Sequence, residues 1–324
     1  MVCSKTSPIQ MPNLVPPITT VKQALDYRDK LRALEPNVEF LMTLYLHESM
    51  TVDTIIEAKR AGIVGVKSYP AGVTTNSSSG IVDYALFYPI FRQMEQEDMV
   101  LNLHGECPSK GEVTILNAES KFLPILVDLA QRFPRLRICL EHATTSESIE
   151  TVKRLGENVV ATITAHHLHL IVDDWAGDPL NFCKPVAKTT ADRIALLRAA
   201  VSGNRKFFFG SDSAPHPITS KYGKGKAAAG VFTQPYTTQL VLEALEAAVD
   251  GGILSKEDVT LESITGFLSG HGRAFYGLES SNDAKIELIT DTETILDTLD
   301  NEDGSLQVVP FRRGEKIRTL TWLS

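Results

Sequence analysis

The sequence has few cysteines, no long apolar run and no excess of basic residues. Its four cysteines lie far apart, and none belongs to a CxxC pair. This scatter argues against a disulfide scaffold or a cysteine-based zinc site, and it indicates a reducing compartment. No apolar segment approaches the ~18 residues that span a bilayer. No basic and apolar leader is visible at the start. We therefore expect a cytoplasmic protein with no membrane partner.

Charge and composition narrow the class further. The chain of 324 residues has a formal net charge of −8, and its basic residues form no stripe or cluster. Nucleic acid is therefore not an expected partner. Hydrophobic residues make up 43% and charged residues 22%, which are ordinary values for a globular protein. This composition excludes a disordered chain, a collagen and a coiled coil.

Short apolar runs alternate with longer segments of helical periodicity. The candidate strands are 7–13, 40–46, 64–69, 100–106, 137–143, 159–167 and 206–212. The candidate helices are 20–34, 52–61, 82–97, 121–133, 146–155, 190–201, 238–248 and 261–275. The strands are nearly continuous in apolar residues, which is typical of strands buried on both faces. Strand and helix in repeated alternation predict βα units around a parallel sheet.

This pattern predicts an α/β protein of the TIM-type (β/α)8 barrel class over residues 1–284. A closed barrel of this class has eight strands, whereas seven candidates are found here. We therefore expect either an open barrel or one that lacks its first βα unit. Residues 285–324 combine short β-like stretches with an acidic loop. We interpret them as a C-terminal extension packed on the barrel.

Polar residues stand at the carboxyl ends of the candidate strands, where barrels of this class carry their chemistry. They are Asn13, Lys67, His104, His142, His167 and Asp212. Ionisable groups at the end of an apolar strand are costly unless they are paired or bind a metal. The set as a whole therefore predicts a metal site. Lys67 leaves two alternatives open: an ion pair with Asp212 or Glu106, or a lysine carbamate that ligates the metal.

The segment His166-His167-Leu168-His169 contains an HxH pair. On a strand, His167 and His169 would face the same side and could present two ligands. The segment lies at and beyond the predicted strand end, however, where exposed histidines are common. We favour exposed histidines over a metal site for this pair.

At these positions the sequence resembles the single-function dihydroorotases of bacterial and fungal type, in the amidohydrolase superfamily. The stretches that carry the resemblance include MPNLVPPITT, VKSYPAGVTTNSSSG, LNLHGE, NFCKPVAK and FFFGSDSAPHP. The resemblance implies a (β/α)8 barrel with two zinc ions per subunit. It implies a hydrolase that interconverts the small molecules N-carbamoyl-L-aspartate and L-dihydroorotate in pyrimidine biosynthesis. It also suggests a homodimer.

The resemblance assigns roles to individual residues. Lys67 matches the carboxylated lysine that bridges the metals. His104 and His142 match the ligands of one zinc, and Asp212 matches a ligand of the other zinc as well as the general acid and base. The residues that match substrate-binding positions are Asn13, Thr74, Thr75, Lys184 through its backbone, His216 and Ala229. Of these, Thr74 and Thr75 match the tip of a mobile loop that closes over the substrate.

One family motif does not occur in the sequence. The HxHxR signature supplies two zinc ligands and an arginine for the substrate carboxylate, and none of the eight histidines belongs to such a motif. We therefore expect one zinc site to be compromised. Either the sequence is shortened before the family-like region, which begins at about Gln10, or the protein has lost one metal position. Two further alternatives are another cyclic amidohydrolase, such as a hydantoinase, and an impaired or non-catalytic protein derived from a dihydroorotase.

Overall fold

The structure is a computed structural model that describes residues 8–74, 76–77, 80–278 and 285–323, without the side chains of residues 290 and 291. Seven strands follow one another in a single sheet in chain order. They are β1 (Ile9–Gln10), β2 (Leu41–Tyr45), β3 (Gly65–Ser68), β4 (Val100–His104), β5 (Arg137–Glu141), β6 (Val159–Ile163) and β7 (Phe207–Phe209). Strands β1 to β6 pair in parallel. The predicted parallel sheet is therefore confirmed.

Helices separate the strands as the alternation predicts. They are α1 (Val21–Leu34), α2 (Val52–Arg60), α3 (Tyr88–Gln96), α4 (Ala118–Arg132), α5 (Ser146–Arg154), α6 (Ala165–His169), α7 (Val172–Ala176), α8 (Thr190–Val201), α9 (Ile218–Lys221), α10 (Thr237–Asp250), α11 (Leu261–Thr265) and α12 (His271–Tyr276). Short 3-10 turns span Tyr84–Phe87, Pro179–Asn181 and Gln234–Tyr236, and a π-helical turn spans Gly266–Gly270. No helix in this described part of the chain is both long and apolar enough to cross a membrane.

Local sequence explains where several helices begin. Thr20, Thr51, Thr189 and Thr260 each precede a helix, and each side chain accepts a hydrogen bond from a backbone amide of the first turn. Such caps satisfy amides that have no partner inside the helix. The strands are stabilised by burial instead, since every residue of β2, β3, β4 and β6 is buried.

The predicted strand 159–167 is too long. Strand β6 ends at Ile163, and α6 begins two residues later. Thr164 caps this helix, because its hydroxyl accepts a hydrogen bond from the His167 amide at 3.1 Å. The predicted first and last strands are also shorter in the structure: β1 covers two residues and β7 three. Residue 7, where the first candidate begins, lies outside the described residues.

The chain folds as two compact units. One consists of residues 2–141 and 150–161, and the other of residues 142–149 and 162–324. The predicted boundary between a barrel and a C-terminal extension at residue 284 stays a prediction, and residues 279–284 lie outside the described part.

The C-terminal segment forms two small antiparallel sheets. Strand β8 (Lys285–Thr294) pairs with β11 (Lys316–Leu323), and β9 (Leu299–Asp300) pairs with β10 (Gln307–Val308). Several contacts tie this segment to the rest of its own unit. The Phe311 amide donates to the Phe232 carbonyl at 2.8 Å. Arg312 contacts Glu243 and Arg318 contacts Glu246, each at 2.7 Å.

Candidate active site

Lys67 lies near the carboxyl end of β3 and is only 1% exposed. The parallel register places it opposite Asn102 of β4. Its ammonium forms an ion pair with the Glu141 carboxylate at the end of β5, and that carboxylate also accepts a hydrogen bond from the Asn102 side chain at 2.9 Å. The expected partners were Asp212 or Glu106, whereas the described ion pair is with Glu141.

His104 is the last residue of β4, and the register sets it opposite Glu141. Its Nε2 lies 2.8 Å from a carboxylate oxygen of Glu106, and both side chains are buried. A carboxylate accepts a hydrogen bond, so Nε2 carries the hydrogen. Carboxylates hold metal-binding histidines in proteins in this way. In a neutral ring of this tautomer, Nδ1 is the nitrogen that could ligate a metal.

The other unit contains His142 and Asp212, which both have unusual backbone conformations. His142 follows β5 with φ of 47°, and Asp212 follows β7 with φ of 39°. The His142 amide donates to the Thr162 hydroxyl at 2.8 Å. Positive φ costs a non-glycine residue free energy, and such residues are concentrated at functional sites. Two predicted metal ligands are thus among the non-glycine residues with positive φ in the described part of the chain.

His216 and Ala229 of the same unit are brought together. The His216 ring donates through Nε2 to the Ala229 carbonyl at 2.9 Å. Burial lowers the pKa of His216 below its usual value, which favours the neutral ring. The neighbouring Gly230 donates its amide to the Phe182 carbonyl at 3.0 Å. Lys184 lies two residues after Phe182, so backbone bonds link the segments that contain Lys184 and Ala229.

The predicted substrate residues Asn13 and Thr74 belong to the unit that holds Lys67. The Asn76 side chain donates to the Asn13 carbonyl at 2.9 Å. The Ser77 hydroxyl accepts from the Thr74 amide at 3.0 Å and donates to the Thr74 carbonyl at 2.7 Å. These bonds join Thr74 to Ser77, and Asn76 to the backbone at Asn13. Thr75 lies outside the described residues.

The histidines of α6 are not the exposed residues that we expected. His166 and His167 are buried, and they lie on a helix rather than a strand. Together with Cys183 they offer ligand atoms that all lie within 4.8 Å of one another. However, His167 Nε2 and Cys183 Sγ approach the Pro185 carbonyl at 2.9 Å and 3.2 Å. This carbonyl can only accept hydrogen bonds, so both groups act as hydrogen-bond donors to the loop that contains Pro185.

Sequence reasoning did not identify Glu141, Asn102 or Lys221, which the structure places beside predicted site residues. A signal was available for Glu141, since it ends the apolar strand RICLE and directly precedes His142. No comparable signal marks Lys221, because its partners come from two separate loops.

Comparisons with known proteins agree with this architecture. The family profile described as amidohydrolase matches residues 13–249. A curated relative from Schizosaccharomyces pombe, named probable dihydroorotase, is 46% identical over 95% of this chain and 87% of its own length. The crystal structure of a Saccharomyces cerevisiae dihydroorotase in complex with 5-fluoroorotic acid superposes with a TM-score of 0.90. It is 41% identical and covers 98% of this chain and 90% of its own.

A more distant structure shares the fold alone. The L-hydantoinase of Arthrobacter aurescens superposes with a TM-score of 0.74 at 18% identity, over 95% of this chain and 73% of its own. The predicted fold class, a TIM-type α/β barrel, is confirmed by these matches and by the parallel sheet. The extent and identity of the matches also settle the family. The chain belongs to the dihydroorotase family of the amidohydrolase superfamily.

Proposed function

We propose that the protein is a zinc-dependent dihydroorotase that interconverts N-carbamoyl-L-aspartate and L-dihydroorotate in pyrimidine biosynthesis. Family membership supports the reaction. The observation that carries the proposed chemistry is Lys67, a lysine buried at the end of β3 at the position that matches the bridging lysine. Only a neutral amine can combine with carbon dioxide to form a carbamate, so Lys67 must release its proton, and with it the ion pair to Glu141, before it reacts.

The residues present fit a zinc site by their chemistry. The proposed ligands are Lys67 as its carbamate, His104, His142 and Asp212. Imidazole nitrogens and carboxylate oxygens are normal zinc ligands, and Glu106 accepts a hydrogen bond from His104, as carboxylates do beside metal-binding histidines. An unmodified Lys67 ammonium would not fit, because it offers no lone pair. When bound, zinc would lower the pKa of a water molecule and polarise the ring carbonyl.

The protein's own residues would move the proton and hold the substrate. In hydrolysis, water adds to the ring carbonyl carbon, the bond from this carbon to nitrogen breaks, and Asp212 carries the proton from the water to the nitrogen. Cyclisation reverses these steps. We assign substrate binding to Asn13, His216, Ala229 and the Lys184 backbone, and we assign closure of the site against water to Thr74 and Thr75.

The decisive assay compares turnover of L-dihydroorotate with that of hydantoin by the same zinc-loaded preparation. We expect turnover of dihydroorotate only.

Asp212→Asn should lower the rate by ~10²–10⁴-fold, because it removes general acid–base catalysis, while one zinc ion stays bound. Asp250→Asn, at an exposed position of α10, is the matched control. Preferred turnover of hydantoin, or normal activity of Asp212→Asn, would contradict the proposal.

A second candidate is a dihydroorotase-derived protein with impaired activity. It is favoured by one observation: the 324 residues contain no HxHxR motif. This candidate predicts at most about one zinc ion per chain, together with binding of dihydroorotate but little turnover. Zinc analysis and calorimetric titration with dihydroorotate separate the two candidates.

Three further parts of the proposal rest on the family resemblance or on composition. They are the homodimer, the cytoplasmic location and the C-terminal extension as a part packed on the barrel. Light scattering of the purified protein tests the first, and a monomer at micromolar concentration would contradict it.

A further inference from the structure

Lys221 is a buried lysine with an unusual set of partners. It ends α9, and only 4% of its surface is exposed. Its ammonium donates to the backbone carbonyls of Phe182 at 2.9 Å, Ala228 at 2.9 Å and Gly230 at 2.7 Å. An ammonium has three N–H bonds. Each of them therefore has an acceptor.

The burial of Lys221 is not compensated by a salt bridge. Among the residues that the structure describes, no carboxylate forms an ion pair with it. Burial lowers its pKa to about 8, although the nearby Cys183 and Asp178 act in the opposite direction. Burying a charged group is costly unless its hydrogen bonds are satisfied. Here, backbone carbonyls provide that compensation.

The three carbonyls belong to the loops that contain the proposed substrate-binding residues. Ala228 and Gly230 flank Ala229 on both sides. Phe182 begins the loop that contains Lys184, and the Gly230 amide donates to the same Phe182 carbonyl at 3.0 Å. One ammonium thus fixes the backbone on either side of Ala229 and ties it to the loop of Lys184.

We propose that Lys221 is a positioning residue, which aligns the backbone of residues 182–185 with that of residues 228–230 for substrate binding. This inference rests on the proposed function, because that function gives the two loops their role. Lys221 does not contact the substrate in this proposal and acts only through the two loops. A lysine needed only for stability would affect unfolding without a selective effect on substrate affinity.

The test compares Lys221→Met with Lys226→Met, a matched control at an exposed lysine five residues further along the chain. Methionine has a similar length but no N–H donors. For Lys221→Met we expect unchanged zinc content, a KM for L-dihydroorotate raised at least tenfold, and a smaller change in kcat. Hydrogen exchange at residues 182–185 and 228–230 should accelerate. Lys226→Met should match the wild type in each measurement.

A chemical rescue separates the positioning role from a structural one. Lys221→Ala removes the atoms of an n-propylammonium ion, so this ion should lower the raised KM. Tetramethylammonium has the same charge but no N–H donors, so it should not lower the KM. If Lys221→Met does not fold, Lys221→Gln, which keeps two N–H donors, takes its place, with a smaller rise in KM expected.

The outcomes distinguish the inference from the function on which it rests. Wild-type KM and wild-type exchange in a folded Lys221→Met variant would overturn the inference alone. Equal rescue by both cations would also overturn it. Absence of dihydroorotate turnover in the wild type would overturn the proposed function, and the exchange comparison would then decide whether Lys221 aligns the two loops.

Discussion

The buried ring of His167 makes the stability of the protein depend on pH in a calculable way. His167 is 1% exposed, and burial lowers its pKa from 6.5 to about 3. Its Nε2 donates to the Pro185 carbonyl, so Nδ1 is the acceptor for the Thr164 hydroxyl at 2.8 Å. The folded protein therefore holds a neutral ring with a defined tautomer.

The direction of the effect follows from this lowered pKa. Below pH 6.5 the unfolded chain takes up a proton at His167, whereas the folded protein does not until about pH 3. The contribution of this ring to stability is therefore complete above pH 6.5 and decreases as the pH falls towards 3. At pH 5, which is ~1.5 units below the pKa of His167 in the unfolded chain, protonation stabilises the unfolded state by ~1.4 kcal/mol for each of these units. The expected loss is about 2 kcal/mol between pH 7 and pH 5.

The assay is urea unfolding of the wild type and of His167→Gln at pH 7, 6 and 5. The variant has a different stability at every pH, so the measured quantity is the change with pH. We expect the free energy of unfolding of the wild type to decrease by about 2 kcal/mol more than that of the variant over this range. NMR should show that the ring resonance of His167 does not titrate above pH 5. Parallel pH dependences, or a ring that titrates near pH 6.5, would refute the reasoning.

Three more substitutions have defined expected outcomes. Lys67→Ala should abolish binding of two metal ions and be partly rescued by acetate, as measured by metal analysis and turnover; full metal content without rescue would contradict the bridging role. Gly230→Ala would bring Cβ into a steric clash with the Ala214 carbonyl oxygen, so we expect destabilisation of about 1–3 kcal/mol and a raised KM. Gly177→Ala, where nothing lies within 4 Å, is its control in thermal unfolding. Thr74→Ala should slow turnover with zinc content unchanged; loss of zinc would indicate a structural loop instead.

The apolar strands could be predicted because burial on both faces leaves a continuous signal in the sequence. All seven were found, and Lys67 and His104 were placed at the ends of their strands. The predicted strand 159–167 extends beyond the end of β6 at Ile163. The cap at Thr164 ends the strand there, and a single hydroxyl is a weaker signal than an apolar run.

Partners across the sheet could not be predicted from local pattern. Glu141 meets Lys67 only because the parallel register brings the ends of β3, β4 and β5 to one edge. Lys221 is more difficult still, since its acceptors at Phe182 and Gly230 lie 39 and 9 residues away in the chain. Polar networks of this kind depend on tertiary geometry, which hydrophobic periodicity does not encode.

The hydrogen bond from Phe311 to Phe232 has a consequence for protein engineering. Phe232 lies two residues after Gly230, so the last part of the chain supports the loop that contains Ala229. A shortened protein that ends near residue 284 would leave this carbonyl and the carboxylate of Glu243 without their present partners. Insertions such as affinity tags, reporter fusions and protease sites should therefore not be placed within residues 309–318.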